Sequence, residues 1–140
     1  MVVFDVTRQF GAAGRPVRTP LDLVRAVERG LPVDAADAVV AGGALDAAEL
    51  YRLVVPRRTL AYRRTHGGRL TAAESDRLAR VARTVALAED TLGTPDKART
   101  WLRRPNRELG GADPLALLAT EQGARTVEAV LDRLAHGVYA

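Results

Sequence analysis

The sequence has no cysteine, two histidines, one serine and one lysine, and aromatic residues fill only 4% of its 140 positions. Each scarcity excludes something. Without thiols there is no disulfide framework, no thiolate zinc site and no cysteine nucleophile. His66 and His136 lie far apart in the chain, which speaks against a histidine metal site, and no metal or cofactor is expected. Ser75, the sole serine, falls in the first turn of a long helical pattern, where capping is its expected role. Gly11 and Gly14 in FGAAGRP lack the strand before and the helix lysine after that a phosphate-cradling loop needs. Carboxylates are scattered singly. With no nucleophile and base, no carboxylate pair and no metal, the chain reads as something other than an enzyme. The longest apolar stretch, around Val39–Leu45, is far short of the roughly 20 residues that cross a bilayer. Asp5 interrupts the place where a signal peptide keeps its apolar region, so the expected setting is the cytoplasm, with no membrane partner.

What the sequence does have is arginine. Apolar types at 47% and charged types at 27% describe an ordinary globular chain whose core must be built from Ala, Leu and Val. Of the 21 cations, set against 17 acids for a net charge of +4, all but Lys97 are Arg. Between Leu50 and Ala73 stand Arg52, Arg57, Arg58, Arg63, Arg64 and Arg69 with no Asp or Glu among them. Elsewhere the two signs are interspersed. An arginine cluster without acids is the electrostatic footprint of a protein that meets a phosphate backbone.

Punctuation predicts helices throughout. Thr19-Pro20 pairs a capping hydroxyl with a first-turn proline, Leu21, Val24 and Val27 follow as an apolar stripe, and Gly30 ends that helix. Asp34 opens the next, which stops at Gly42-Gly43. Asp46 with Glu49 reads as a capping box before a stripe of Leu50, Leu53 and Val54. Pro56 interrupts, RRTLAYRR runs to Gly67-Gly68, and Thr71 with Glu74 opens the longest helix, to about Leu92. After Gly93, Thr94-Pro95 starts a helix with Ala98, Trp101 and Leu102 on one side, Trp101 being expected in the core. Pro105, Asn106, Gly110 and Gly111 form a loop, with Asn106 expected to bond backbone groups and the glycines to supply positive φ. Asp113-Pro114 then caps the short helix LALLAT, and a last helix presents Val127, Val130, Leu131 and Leu134. Only VVFDV near the start admits a strand. The fold class is all-α, with residues 1–18 as an N-terminal arm that nothing in the pattern ties down.

Residues 46–64 hold two short helices joined by a tight break at Val55-Pro56, the second polar and basic, which is the local pattern of a helix-turn-helix. Leu50, Leu53, Val54 and Leu60 would fix the crossing, leaving Arg57, Arg58, Thr59, Tyr62, Arg63 and Arg64 as candidate DNA contacts. Arginine pairs bidentately with guanine edges, and Thr or Tyr can meet thymine methyls or phosphates. The alternative is a solvated basic face over a hydrophobic interior. The break lacks the glycine often found in such turns, but proline can open the second helix because its missing N–H is one the helix would not use.

The second half is more specific. The run Ala98-x-x-Trp101-Leu102-x-x-Pro105-Asn106-x-x-Leu109-Gly110-Gly111-x-x-Pro114-Leu115-x-Leu117-Leu118 continues as Thr120-Glu121-x-Gly123-Ala124-x-x-Val127 and finishes His136-Gly137-Val138-Tyr139. It resembles the toxin-binding domain of Xre/MbcA/ParS-type antitoxins. Upstream, LPVDAADAVV, PRRTL and GRLTAAESDRLARVAR resemble the Xre-like helix-turn-helix part of the same antitoxins, with Val39-Val40-Ala41-Gly42-Gly43-Ala44 departing from a regular helix connection. The resemblance implies a helix-turn-helix domain at 19–93, a small helical toxin-binding and dimerisation domain at 94–140, and an antitoxin of a type II toxin–antitoxin pair. Its toxin would be a RES-domain protein that degrades NAD⁺, occluded by the antitoxin, and the complex would repress its own operon. The toxin contact is placed on the last helix and tail, at Arg133, His136, Gly137, Val138, Tyr139 and Ala140. Symmetric operators call for a homodimer, here within a hetero-oligomeric complex, with the apolar helices after residue 94 as the expected dimer surface. A stand-alone transcription regulator without a toxin partner is the other reading.

Overall fold

A computed structural model describes residues 3–137 of the chain. The residues through Ala82 and those from Arg83 onward form two compact units. Among the described residues there is no named strand, only one isolated antiparallel bridge, between Pro32 and Arg69.

The first unit opens with α1 (Val3–Arg8) and a 3₁₀ turn at Gly11–Gly14. The segment that admitted a strand is therefore helical. Val6 and Phe10 are four residues apart, one helical turn, and both are buried, Phe10 completely. With Val17 also inside, these residues are part of the unit's core and do not extend as an arm. In α2 (Pro20–Arg29), Thr19 and Asp22 complete a reciprocal capping box, each backbone N–H donating to the other's side chain at 3.1 Å. The stripe is rotated from the one expected: Ala26 is buried, while Leu21 and Val24 stay more than half exposed.

Pro32, not Asp34, precedes α3 (Val33–Ala41), which has no side-chain cap, because proline already fixes the entry conformation. Val33, Ala35, Ala36 and Val39 bury this helix. The chain leading into it is tied to the segment from Gly68 to Leu70: Leu70 N–H donates to Leu31 O at 2.8 Å and Val33 N–H to Gly68 O at 2.9 Å. Ser75, expected as a cap, is instead fully buried and accepts from Leu31 N–H at 2.7 Å. Asp46 and Glu49 cap α4 (Ala47–Leu53), and Thr71 and Glu74 cap α6 (Ala72–Leu92), as the capping boxes predicted.

The second unit contains the part of α6 after Ala82, α7 (Pro95–Leu102), 3₁₀ turns at Arg107–Leu109 and Pro114–Ala119, and α8 (Glu121–Ala135). Leu102, Leu118, Val127 and Leu131 are fully buried among small residues such as Ala98 and Ala124. Thr94 caps α7 through Lys97 N–H at 3.2 Å. Asp113 stands at the expected boundary but makes no side-chain cap bond, and Pro114 sets the turn without it. Trp101 is only part-buried, since Ala98 and Leu102 take the inward positions. It borders an open cavity of about 440 Å³ with Leu92, Lys97 and Thr100.

The loop behaves as its residue types require. Asn106 Oδ1 accepts from Glu108 N–H at 3.0 Å, and its backbone bonds Ala112 O and Gly111 N–H at 3.0 and 2.8 Å. Gly110 and Gly111 turn the chain at φ +67° and +85°, a region side chains disfavour. Gly123 is needed for a different reason: a Cβ there would collide with the Leu117 carbonyl oxygen, so α8 starts against the preceding turn only because this position has no side chain.

Candidate functional site

The helix pair lies in the first unit. Leu50, Leu53, Val54 and Val55 are buried, Pro56 precedes α5 (Arg57–Thr65), and Leu60 points inward. Because 3.6 residues make a turn, burying Leu60 turns Arg57, Arg58, Ala61, Tyr62, Arg64 and Thr65 outward, with Thr59 and Arg63 half-buried. Arg77 of α6 donates from Nε to Val54 O at 2.9 Å, closing the carbonyl that the tight turn leaves open. No sequence spacing signals that partner.

The six arginines divide. Arg63 grips Glu74 through two hydrogen bonds, Nε to Oε1 at 3.1 Å and Nη2 to Oε2 at 3.3 Å. Arg64 grips Asp37 of α3 likewise, at 2.7 and 3.0 Å. Arg69 donates to Gly30 O at 2.8 Å. Arg52, Arg57 and Arg58 form no ion pair among the described residues and are exposed. The window without acids is thus partly neutralised from outside it. Burial pushes the Glu74 carboxyl up, but the hydrogen bonds from Arg63 and Thr71 outweigh it and hold the group below its ordinary value. The Arg64 hydrogen bond does the same for Asp37 against a smaller burial cost.

Tyr62, 53% exposed, stacks on His66 with ring centroids 4.1 Å apart and planes within 9°. The Arg63 guanidinium lies over the Tyr62 ring at 5.9 Å. His66 Nδ1 is 3.1 Å from Tyr62 O, which anchors the imidazole at the end of α5. The outward surface of this helix therefore offers two unpaired cations at its N-terminal turn, an exposed aromatic pair further along, and no carboxylate of its own. That is chemistry for contacting anions and flat ring edges. Among the described residues no group of three or more His, Cys, Asp or Glu could hold a metal ion.

The candidate toxin contacts that the structure describes gather at the end of α8 in the second unit. Arg133 Nη2 reaches Glu108 Oε1 at 3.5 Å, and His136 Nδ1 lies 2.8 Å from Asp132 O at the helix cap. Gly137 follows at φ +63°. All three are exposed. Val138, Tyr139 and Ala140 lie outside the described residues. No helix among the described residues is long and apolar enough to cross a membrane.

A family model described as the antitoxin Xre-like helix-turn-helix domain matches residues 22–83. Another, the antitoxin Xre/MbcA/ParS C-terminal toxin-binding domain, matches residues 87–137. The chain is 39% identical over 129 residues to Antitoxin Xre of Yersinia enterocolitica, covering 91% of this chain and 87% of that protein. It is 34% identical over 114 residues to Antitoxin Xre of Photorhabdus laumondii, covering 80% and 77%. A Sphingobium protein named Prs ADP-ribosylating antitoxin is 24% identical over 132 residues, covering 87% and 83%. Basic α5 falls inside the first match and the end of α8 inside the second, and with relatives this alike over most of their length the chain belongs to the Xre family of antitoxins.

Proposed function

We propose that this antitoxin binds a RES-domain toxin that degrades NAD⁺, covers its active site with the end of α8 and the tail from Arg133 to Ala140, and represses its own operon through α4 and α5. The observation that carries the reading is the joining, in one chain, of a toxin-binding domain match and a proline-led basic helix. The name of the Sphingobium relative supports the choice of toxin chemistry, because ADP-ribosylation consumes NAD⁺. In this reading residues 19–93 are the DNA-binding domain, residues 94–140 the toxin-binding domain, and the complex works in the cytoplasm. A twofold operator is met by a homodimer of the antitoxin. Arg57, Arg58, Thr59 and Tyr62 face the groove, while Arg63 and Arg64 hold the helix at the angle this needs.

Co-expression with the product of the neighbouring gene tests it. That product alone should arrest growth and deplete cellular NAD⁺, and this chain should relieve both. A harmless neighbour, or toxicity that persists with the chain present, overturns the pairing. Toxicity without NAD⁺ loss overturns only the toxin's chemistry. Removing residues 137–140 should weaken protection while sparing DNA binding, and full protection would rule out the tail as the plug.

A further inference from the structure

A second concentration of cations lies ahead of the helix-turn-helix match, which begins at residue 22. In the first 21 residues Asp5 is the one acid, against Arg8, Arg15 and Arg18. The three arginines belong to different pieces of backbone. Arg8 ends α1, Arg15 follows the Gly11–Gly14 turn, and Arg18 precedes the Thr19 cap of α2. Folding brings them round one open cavity of about 560 Å³, lined otherwise by Thr7, Gly11, Gly14 and Val17, with no carboxylate in its wall.

The cavity is built on fixed backbone. Val6, Phe10 and Val17 of the same segment are buried, Arg15 N–H donates to Ala12 O at 3.2 Å, and Val17 N–H donates to Gly14 O at 3.1 Å. Asp22, the nearest acid in sequence to Arg18, is occupied with backbone N–H groups: its Oδ2 accepts from Arg18 and Thr19, both at 3.1 Å. The three guanidinium groups form no ion pair among the described residues, and all three residues are exposed. This segment rests on α3, where a Cβ at Gly11 would sit 3.1 Å from Ala38 Cβ. The adjacent residue of α3, Asp37, is the one that holds Arg64 of α5. Both basic regions are thus seated on neighbouring residues of a single helix, and the carboxylate of Asp37 is already neutralised.

Exposed arginines without ion pairs, set round a concave, solvent-open site, are suited to phosphate oxygens, which a guanidinium meets with paired N–H donors. An open wall drawn from three backbone segments suits a strand of phosphates passing over it better than an enclosed small molecule. We propose that Arg8, Arg15 and Arg18 form a second contact with the DNA phosphate backbone, separate from α5. The proposal rests on the operator-binding reading above, and it assigns the three arginines to affinity, not to sequence choice.

Fluorescence anisotropy tests it, with the full chain titrated onto a labelled duplex from upstream of its gene and onto a scrambled duplex across a salt series. Arg8→Ala, Arg15→Ala and Arg18→Ala combined should weaken binding to both duplexes by the same factor. The slope of log affinity against log salt should become shallower by about 2 to 3, close to 0.9 for each phosphate that the variant no longer neutralises. The corresponding triple lysine variant should keep most of the slope, and each single alanine variant should remove about a third of the change. An unchanged slope in the triple alanine variant overturns the proposal, as does a loss confined to the operator duplex, which would mean base reading. If inorganic pyrophosphate raises the melting temperature of the wild type but not of the alanine variant, while the slope stays put, the site serves a small phosphate ligand and the proposal falls. A wild-type chain that binds neither duplex brings down the operator reading along with it, whereas a wild type that binds with an unaltered variant slope brings down this proposal alone.

Discussion

At the first turn of α5, Arg57 and Arg58 stand exposed behind Pro56 with no ion pair among the described residues, whereas at its last turns Arg63 and Arg64 are each held through two hydrogen bonds by a carboxylate from another helix. The residue type is the same and the physical role is opposite. A free guanidinium offers its donors to an incoming phosphate or base edge at little cost beyond its own rotamer freedom. A bidentate one has its donors in use, and releasing them would strand Glu74, which is only 6% exposed. The density of arginine in a sequence window therefore overstates the number available for a ligand. What it also provides is orientation: α5 is tied to α3 at Asp37 and to α6 at Glu74, so its exposed face is presented at a fixed angle.

The largest effect expected from this division is on DNA. Arg57→Ala with Arg58→Ala should weaken operator binding by at least about 30-fold, since each well-made arginine–base pair contributes roughly 1–3 kcal/mol of discrimination. The melting temperature should not change, because neither side chain is engaged within the fold. Operator affinity within a few-fold of wild type, measured by gel shift, would place both arginines outside the contact. The opposite use of arginine recurs in the second unit, where Arg83 bonds Glu128 at 2.7 Å and Glu121 at 3.2 Å. Arg83→Ala should cost about 1–2 kcal/mol by denaturant titration and leave DNA affinity intact. The loss is bounded because the Thr84 hydroxyl still donates to Glu128 at 3.1 Å. Unchanged stability would show that the network is only a surface arrangement.

Much of the local structure was legible because its causes are local. The Thr19, Asp46, Thr71 and Thr94 caps lie within three residues of the groups they satisfy, and the glycine pair at 110–111 answers a backbone requirement. The break at Val55-Pro56 and the inward leucine of α5 followed from the pattern, whereas Thr59 and Arg63, expected on the outer face, are half-buried. Features that depend on docking were not legible. The helix at Val3–Arg8 is half-hidden in a β-like run, and Phe10 is buried only because the turn after it rests on α3. The partners of Arg63 and Arg64 lie 11 and 27 residues away, beyond any helical repeat. Ser75 is committed to Leu31, 44 residues distant, which no capping rule anticipates. Trp101 read as core because it shares a helix face with Ala98 and Leu102, yet in so small a unit those two fill the interior without it.

A smaller effect separates charge from shape at the held end of α5. Glu74→Gln keeps a side chain that can accept from Thr71 N–H but removes the charge that grips Arg63. Its melting temperature should fall by roughly 4–8 °C. Operator affinity should fall less than in the Arg57, Arg58 variant. The folded carboxyl lies below its ordinary value of 4.5, so on acidification the unfolded chain takes up this proton first. Its stabilising contribution is complete above about pH 4.5 and is lost as the pH falls through the lower, folded value. Acid melting curves should be steeper for the wild type than for Glu74→Gln in that range, and parallel curves would remove Glu74 from the account.

The weakest lever is the outer pair. Arg64 and Asp37 are 50% and 44% exposed, so Asp37→Asn should cost only about 0.2–1 kcal/mol of stability, the range of solvent-screened ion pairs. Its use lies in what happens to DNA binding once Arg64 is released. If the pair serves to aim α5, the variant should bind the operator somewhat more weakly with the same salt slope, because the helix loses a tether and meets no further phosphate. A tighter complex with a slope steeper by about 0.9 would mean that the freed guanidinium had found a phosphate. In that case Asp37 would act by withholding Arg64 from DNA, and the two ends of α5 would differ only in how much charge each is allowed to show.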